Sequence, residues 1–122
     1  MLDGVLIAES LRVGSVLDEV PLHLTRIRRI EVPGAAPAQP RHWTLLDFQA
    51  EEADAERLAA ALSRCLAPTG GWYANFNTPT EAYVVFPDRV FHYPRGNPEA
   101  RAAAVTHART LGIPTPQLDW QD

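Results

Sequence analysis

Apolar and polar residues alternate most clearly between residues 70 and 96, a stretch that also holds most of the chain's aromatic residues. It contains three short apolar runs separated by turn-forming residues, and these runs are 72–76, 81–86 and 89–93. Proline presets φ and Asp tolerates unusual backbone angles, so Pro79 and the pair Pro87-Asp88 mark turns. The pattern predicts a three-stranded antiparallel meander.

The middle run of this meander is apolar on both faces. Side chains alternate across a strand, so Ala82, Val84 and Phe86 point one way. Tyr83 and Val85 point the other way. A solvated face of an antiparallel strand would carry polar residues at every second position. We therefore expect this strand to be central in the sheet and covered on both sides.

Three further segments upstream have strand character. Residues 5–8 form a short apolar run, and residues 42–48 carry apolar side chains on both faces. Residues 21–32 alternate, but Arg26 and Arg28 interrupt the apolar side. Either a bulge shifts the register at this point, or the middle of the strand lies at an exposed edge of the sheet.

In two segments the apolar residues recur with the 3.6-residue period of an amphipathic helix. In the first, residues 51–66, acidic residues crowd the first turns and Arg64 lies in the last, as the helix dipole favours. The second begins at Asn97-Pro98, an N-cap acceptor followed by proline, and ends at Gly112. Its alanine-rich stripe predicts close packing on the sheet.

These elements predict a single α+β domain over residues 1–122. The element order is β-β-β-α-β-β-β-α, with an antiparallel or mixed sheet of five to six strands and both amphipathic helices on one face. We also expect the tail, residues 113–122, to dock on the domain. Leu118 and Trp120 would be unusual in a free, solvated tail.

Placing both helices on one face leaves an apolar surface on the other. Trp43, Tyr83 and Val85 would be exposed there, and such a patch marks an interface or a ligand groove. Two copies related by a two-fold axis would bury it with one self-complementary surface, so we predict a homodimer through these residues. The alternative is that residues 11–20 and 113–122 fold over this face within one chain.

The composition and charge of the chain limit its possible partners and its possible location in the cell. The net charge is −4, from 15 acidic and 11 basic residues, and this balance argues against a nucleic-acid partner. All basic residues are arginine, which together with the high alanine content is typical of a GC-rich bacterial genome. A single cysteine, Cys65, excludes an internal disulfide. No run approaches the roughly 20 apolar residues of a membrane span and no basic leader begins the chain, so we expect a cytoplasmic protein with no membrane partner.

The sequence carries no recognisable catalytic or metal-binding motif. Its four histidines have no metal-ligand spacing, and no serine lies in a Gly-x-Ser-x-Gly elbow. We therefore expect no metal and no cofactor. One arrangement does suit an anion, because Arg95 and Asn97 lead into a helix whose free N–H groups attract phosphate or carboxylate. Arg101 and His92 complete this candidate site, although a strand exit followed by an N-cap explains the same residues.

Three runs of the sequence, GWYANF, AYVVFPDRVFHY and the closing LGIPTPQLDW, resemble a family of short single-domain bacterial proteins. The likeness extends over most of the chain and is strongest from Trp72 onward. It implies an α+β fold. No activity is attached to that family, so the resemblance carries over no catalytic residue.

We predict from these features a non-enzymatic protein-binding or interaction module that acts as a homodimer. No acid, base and nucleophile occur at a recognisable spacing, so the catalytic residues stay unknown. The alternative is a protein that binds an anion or a small molecule, or a small enzyme, with a pocket near His92, Tyr93 and Arg95. A polar cleft in the structure would favour this alternative.

Overall fold

Six strands and two helices make up the computed structural model, which describes residues 1–122. The strands are β1 Leu2–Ile7, β2 His23–Glu31, β3 His42–Ala50, β4 Ala74–Asn77, β5 Glu81–Phe86 and β6 Arg89–Pro94. The helices are α1 Ala55–Cys65 and α2 Pro98–Thr110. The α+β class and the predicted order of elements are confirmed. Neither helix has the length and apolar character that crossing a bilayer requires.

All six strands belong to one antiparallel sheet in the order β2-β3-β1-β4-β5-β6. The meander of β4, β5 and β6 is confirmed. In the other half, β1 lies between β3 and β4, so the first strand of the chain joins the two halves. The outer edges of the sheet are β2 and β6.

Strand β2 combines both alternatives that its sequence left open. Its register against β3 shifts between Leu24 and Arg26, and the strand lies at the edge of the sheet. Beyond this bulge the pairing places Ile27 opposite Leu46 and Arg28 opposite Leu45. The extra residue turns the side chain of Arg28 to the face opposite the one that Leu24 occupies.

Helix α1 covers one face of the sheet. Its Leu58 and Leu62 belong to a buried cluster with Phe76 of β4 and with Tyr83 and Val85 of β5. The α-helix begins three to four residues later than the sequence indicated, because a 3₁₀ turn, Glu52–Asp54, occupies the first part of the acidic segment.

Helix α2 covers the opposite face. Its Ala104 and Ala108 pack in a second cluster with Ala82, Val84 and Phe86, the alternate residues of β5. The expectation that both helices lie on one face is therefore wrong. A strand that is apolar on both sides needs a cover on each, and the chain supplies one helix to each side. The small alanine side chains let α2 approach the sheet closely, as predicted.

The ends of α2 follow their sequence signals. The Asn97 side chain accepts hydrogen bonds from the backbone N–H groups of Glu99 and Ala100, each at 3.1 Å. Proline occupies the first helical position. Gly112, with φ of +76°, follows the helix end and takes the left-handed conformation that other residues adopt only at a cost.

The C-terminal segment docks beside α2, as the sequence predicted. The Trp120 indole is buried, and its Nε1 donates a 2.9 Å hydrogen bond to the Tyr93 hydroxyl. The Arg101 guanidinium lies 4.5 Å from the centre of the Trp120 ring and donates to the Trp120 carbonyl. Arg101 also forms a 3.1 Å ion pair with Asp122. A buried indole, a cation–π contact and an ion pair together fix the segment.

Gly4 permits the two halves of the sheet to meet. It lies in the middle of β1 and pairs with Phe48 of β3 and with Phe76 of β4. A Cβ atom at this position would lie 2.6 Å from the Phe48 ring and 2.7 Å from the Phe76 Cβ atom. Non-bonded carbon atoms prefer about 3.5–4.0 Å, so any other residue must displace these aromatic side chains.

We expect Gly4→Ala to lower the free energy of unfolding by about 1–3 kcal/mol, because the added methyl group overpacks the contact between Phe48 and Phe76. Chemical denaturation measures this change. Gly34→Ala is the matched control, since a Cβ at Gly34 meets nothing within 4 Å. Its effect should stay within about 0.5 kcal/mol. Equal effects of the two substitutions would contradict this account of the packing.

Candidate ligand-binding cleft

The face of the sheet that α2 occupies is only partly covered. Helix α2 packs on β5 and β6, and the C-terminal segment passes beside β4, where the Asn77 side chain donates to the Gln121 carbonyl at 2.6 Å. The remaining part of this face, over β1, β2 and β3, stays open. A cleft of about 700 Å³ lies between it and the C-terminal segment. We call this space the sheet cleft.

The sheet cleft takes residues from four strands, from the loops before β3 and β4 and from the C-terminal segment. They are Asp3, Gly4, Val5, Ile7, Thr25, Arg28, Ile30, Glu31, Val32, Pro33, Trp43, Leu45, Asp47, Phe48, Gly71, Trp72, Tyr73, Asn75, Pro116, Gln117, Asp119, Trp120 and Gln121. A second cavity, of about 240 Å³, lies elsewhere in the chain, between α1 and residues 12–19.

Half-buried aliphatic side chains form one wall. Leu2 and Leu6 of β1 belong to the core under α1, so the alternate residues Val5 and Ile7 face the sheet cleft. Leu45 of β3 lies on the same face. The bulge in β2 brings Ile30 to this wall as well, so the apolar surface extends across three adjacent strands.

Aromatic side chains close one end. The rings of Trp43 and Trp72 have centroids 5.3 Å apart, and the Trp43 Nε1 donates to the Pro40 carbonyl at 2.8 Å. The neighbouring Tyr73 ring lies 5.5 Å from Trp120 in an edge-on arrangement. These contacts and hydrogen bonds hold the aromatic end in one conformation.

Two glutamine amides join the segments around that end. Gln39, which is buried, and Gln117 exchange hydrogen bonds of 3.2 Å and 2.9 Å. Gln39 also donates to the Gly71 carbonyl at 3.1 Å. This paired contact, which we call the glutamine clasp, ties the loop before β3 and the loop before β4 to the C-terminal segment. It therefore sets the distance between the two sides of the sheet cleft.

Asp47 is the most strongly paired charge in the sheet cleft. Arg28 donates to both of its carboxylate oxygens, at 2.9 Å and 3.1 Å, and Arg26 donates at 2.8 Å. Burial disfavours the charged carboxylate, but the two arginines outweigh burial, so the pKa of Asp47 lies below its ordinary value of 3.8. Asp47 is ionised at neutral pH, and both of its oxygens already have partners.

Tyr73 keeps its proton. Burial and then the negative charge of Asp119 raise the pKa of its hydroxyl above the ordinary value of 10.0. The hydroxyl donates a hydrogen bond to the Gln117 carbonyl. In the sheet cleft Tyr73 therefore supplies an aromatic surface and a neutral hydroxyl.

Two polar side chains that face the sheet cleft, Asn75 in β4 and Asp119 in the C-terminal segment, have no hydrogen-bonding partner within the chain. A third, Asp3, accepts a 2.9 Å hydrogen bond from Gln49 at one oxygen. These groups are available to a bound molecule.

The residues of the predicted anion site each have a structural partner. Asn97 caps α2 through its side chain, and Arg101 holds the C-terminal segment. Arg95 donates to the Thr78 carbonyl at 3.2 Å. These side chains therefore serve the fold.

His92 and Tyr93 lie on opposite faces of β6, so they do not share a pocket. His92 stacks on Tyr83 at 4.1 Å between ring centroids, and its Nε2 lies 3.7 Å from a Glu81 oxygen. Tyr93 faces the C-terminal segment and donates to Asp122 at 2.7 Å. Burial and this hydrogen bond raise the pKa of Tyr93 to about 12. The sheet cleft does not include His92, Tyr93 or Arg95 in its lining.

The residues named for a dimer interface are buried within one chain. Tyr83 and Val85 lie under α1, whereas Trp43 lies on the opposite face against Trp72. The three side chains therefore do not share a surface. One part of the sequence prediction does point to the sheet cleft, because Trp43 was expected to lie on an apolar face that forms an interface or a ligand groove.

Sequence reasoning missed Asp47, Asn75 and Asp119, which lie far apart along the chain. The described side chains include no group of three or more His, Cys, Asp or Glu residues arranged for a metal ion. Comparisons with protein-family models, with curated proteins and with solved structures give no match. The functional argument therefore rests on the geometry of the sheet cleft.

We expect Asp47 to give the fold a dependence on acid pH. Its lowered pKa means that the folded chain binds fewer protons than the unfolded chain around pH 3.8. The stabilisation is complete above that pH and is lost as the pH falls through the folded-state value. At about pH 7, Asp47→Asn should lower the free energy of unfolding by about 1 kcal/mol.

This difference between wild type and Asp47→Asn should shrink as the pH falls below about 4, measured by urea unfolding at a series of pH values. Asp18→Asn is the control, because Asp18 is exposed and has no side-chain partner. A difference that stays constant across the acid range would argue against the role of the two arginines.

Proposed function

We propose that this chain is a non-enzymatic binding protein for a small organic molecule, that the sheet cleft is its binding site, and that it acts in the bacterial cytoplasm. The observation that carries the proposal is the cleft of about 700 Å³ in the open half of the sheet. Small-molecule sites typically occupy roughly 300–1,000 Å³ and combine apolar walls with a few oriented polar groups.

The apolar wall, the Asn75 side chain and the glutamine clasp support this proposal in different ways. Val5, Ile30 and Leu45 are half-buried, and a ligand that removed their remaining surface from water would gain about 25 cal/mol for each Å². The free amide of Asn75 can orient such a ligand through hydrogen bonds. The glutamine clasp keeps the opposite side in place, which lowers the entropic cost of binding.

Two titratable groups of the sheet cleft are unsuited to catalysis. A general base or a nucleophile needs a free electron pair and a pKa suited to its task. The Tyr73 hydroxyl stays protonated, and both oxygens of Asp47 are occupied by arginines. The role proposed for the sheet cleft is therefore recognition.

We expect a library of small molecules to contain compounds that raise the melting temperature by several degrees, since a ligand at 100 times its Kd adds about 2.7 kcal/mol. Ile30→Trp places a large side chain in the sheet cleft and should abolish this stabilisation. Ile27→Trp is the matched control, because Ile27 lies on the same strand but faces the other side and is 64% exposed.

Differential scanning fluorimetry measures the melting temperature with and without each compound. The proposal fails if no compound stabilises the protein, or if Ile30→Trp and Ile27→Trp respond equally. Binding should also change the fluorescence of Trp43 and Trp72, which line the sheet cleft.

Association with a second copy of the chain is a second candidate function. Leu24 and Ile27 are 45% and 64% exposed on the α1 face of the edge strand β2. An edge strand with exposed apolar side chains is a common site for pairing with another chain. Trp43, Tyr83 and Val85 are buried, so β2 replaces them as the surface proposed for a homodimer.

Light scattering after size-exclusion chromatography tests this candidate. A homodimer through β2 should have twice the mass of one chain, and Ile27→Glu should reduce it to one. Val13→Glu is the control, because Val13 is 98% exposed in the loop after β1. A single-chain mass for the wild type would exclude the dimer.

A further inference from the structure

The sheet cleft carries an excess of negative charge. The side chains that face it include the carboxylates of Asp3, Asp47 and Asp119 and the guanidinium of Arg28, and Arg26 also pairs with Asp47. With both arginines counted, the formal charge of this group is −1. Charges that converge on a concave, low-dielectric surface act on a ligand more strongly than charges spread over the exterior.

Both arginines of this group are committed to Asp47. Arg28 donates from two of its nitrogens to the two oxygens of Asp47, and Arg26 donates to one of them. The Asp119 carboxylate has no such partner, and Asp3 is paired only with a neutral amide. The charge that remains for a ligand is therefore negative.

A third arginine, Arg101, also lies close to Asp119. It forms an ion pair with Asp122 and donates to the carbonyls of Leu118 and Trp120. Its guanidinium also lies over the Trp120 ring. Arg101 is therefore paired with Asp122 and not with Asp119, although the charges of both Asp119 and Arg101 act on the Tyr73 hydroxyl.

The aromatic end of the sheet cleft and the side-chain amide of Asn75 suit a positively charged group. Tyr73, Trp43 and Trp72 line the sheet cleft, and aromatic faces attract cations, with indole the most effective. The Asn75 side-chain oxygen can accept a hydrogen bond from an ammonium N–H. An anionic ligand would instead meet the carboxylates of Asp3 and Asp119, neither of which is paired with an arginine.

We infer that the ligand of the sheet cleft is an organic cation, an amine or a quaternary ammonium group attached to an apolar body. The apolar body lies on the wall of Val5, Leu45 and Ile30, and the cationic group faces Asp119 and the aromatic end. This inference rests on the proposed function, because it names the chemical class of the molecule that the sheet cleft binds.

Three compounds with the same benzyl group and differently charged heads test the inference. They are benzyltrimethylammonium, its neutral carbon isostere neopentylbenzene, and the anion phenylmethanesulfonate. Each is titrated against the full chain, with tryptophan fluorescence as the readout. We expect the cation to bind at least about tenfold more tightly than the neutral isostere, and its affinity to fall with added salt.

Asp119→Asn should weaken binding of the cation by about three- to tenfold and leave the neutral isostere unchanged. Asp18→Asn, outside the sheet cleft, should change neither. The melting temperature of each variant without ligand establishes that it is folded. Loss of cation binding in Ile30→Trp but not in Ile27→Trp assigns the binding to the sheet cleft.

The possible failures separate the two proposals. Equal affinity for the cation and the neutral isostere, or tighter binding of the sulfonate, would overturn the cationic ligand while leaving the sheet cleft as a binding site. Library compounds that bind the sheet cleft but are neutral or anionic would do the same. If neither the benzyl series nor the library binds, both proposals fail.

Discussion

The short contact between β1 and β4 holds the two halves of the sheet together. Only three residue pairs form it, and Gly4 lies at its centre between Phe48 and Phe76. Because Gly4 has no side chain, Phe48 and Phe76 pack directly over it. The core beneath α1 is therefore continuous across both halves of the sheet. The position of the first half relative to the C-terminal segment, and so the shape of the sheet cleft, depends on this contact.

The sheet cleft exists because α2 and the C-terminal segment together do not cover the full width of the sheet on their side. Strand β5 is apolar on both faces, and the two helices satisfy it from opposite sides. On the α2 side the helix and the C-terminal segment end near β4, so β1, β2 and β3 keep an open apolar face. Val5, Ile30 and Leu45 are only half-buried there, and a concave apolar surface of this kind is typical of a ligand site.

The polar groups of the sheet cleft come from distant parts of the chain. A bulge in β2 brings Arg28 to the same face as Asp47, and the docked C-terminal segment brings Asp119 close to Tyr73. The glutamine clasp connects the loops and the C-terminal segment. The order of strands and the docking of the last ten residues therefore assemble a site that no stretch of sequence contains.

The sequence alone determined those features that depend on neighbouring residues: the meander, the helix start at Asn97 and its end near Gly112, and the docking of Trp120. Periodicity, capping and the cost of exposing an indole act locally or on a single side chain. The tertiary structure decided which face each helix covers, because the alternation within β5 is equally compatible with one cover or two. It also decided the location of the site, since convergence of Asp47, Asn75 and Asp119 depends on strand order and long-range docking, which local patterns do not encode.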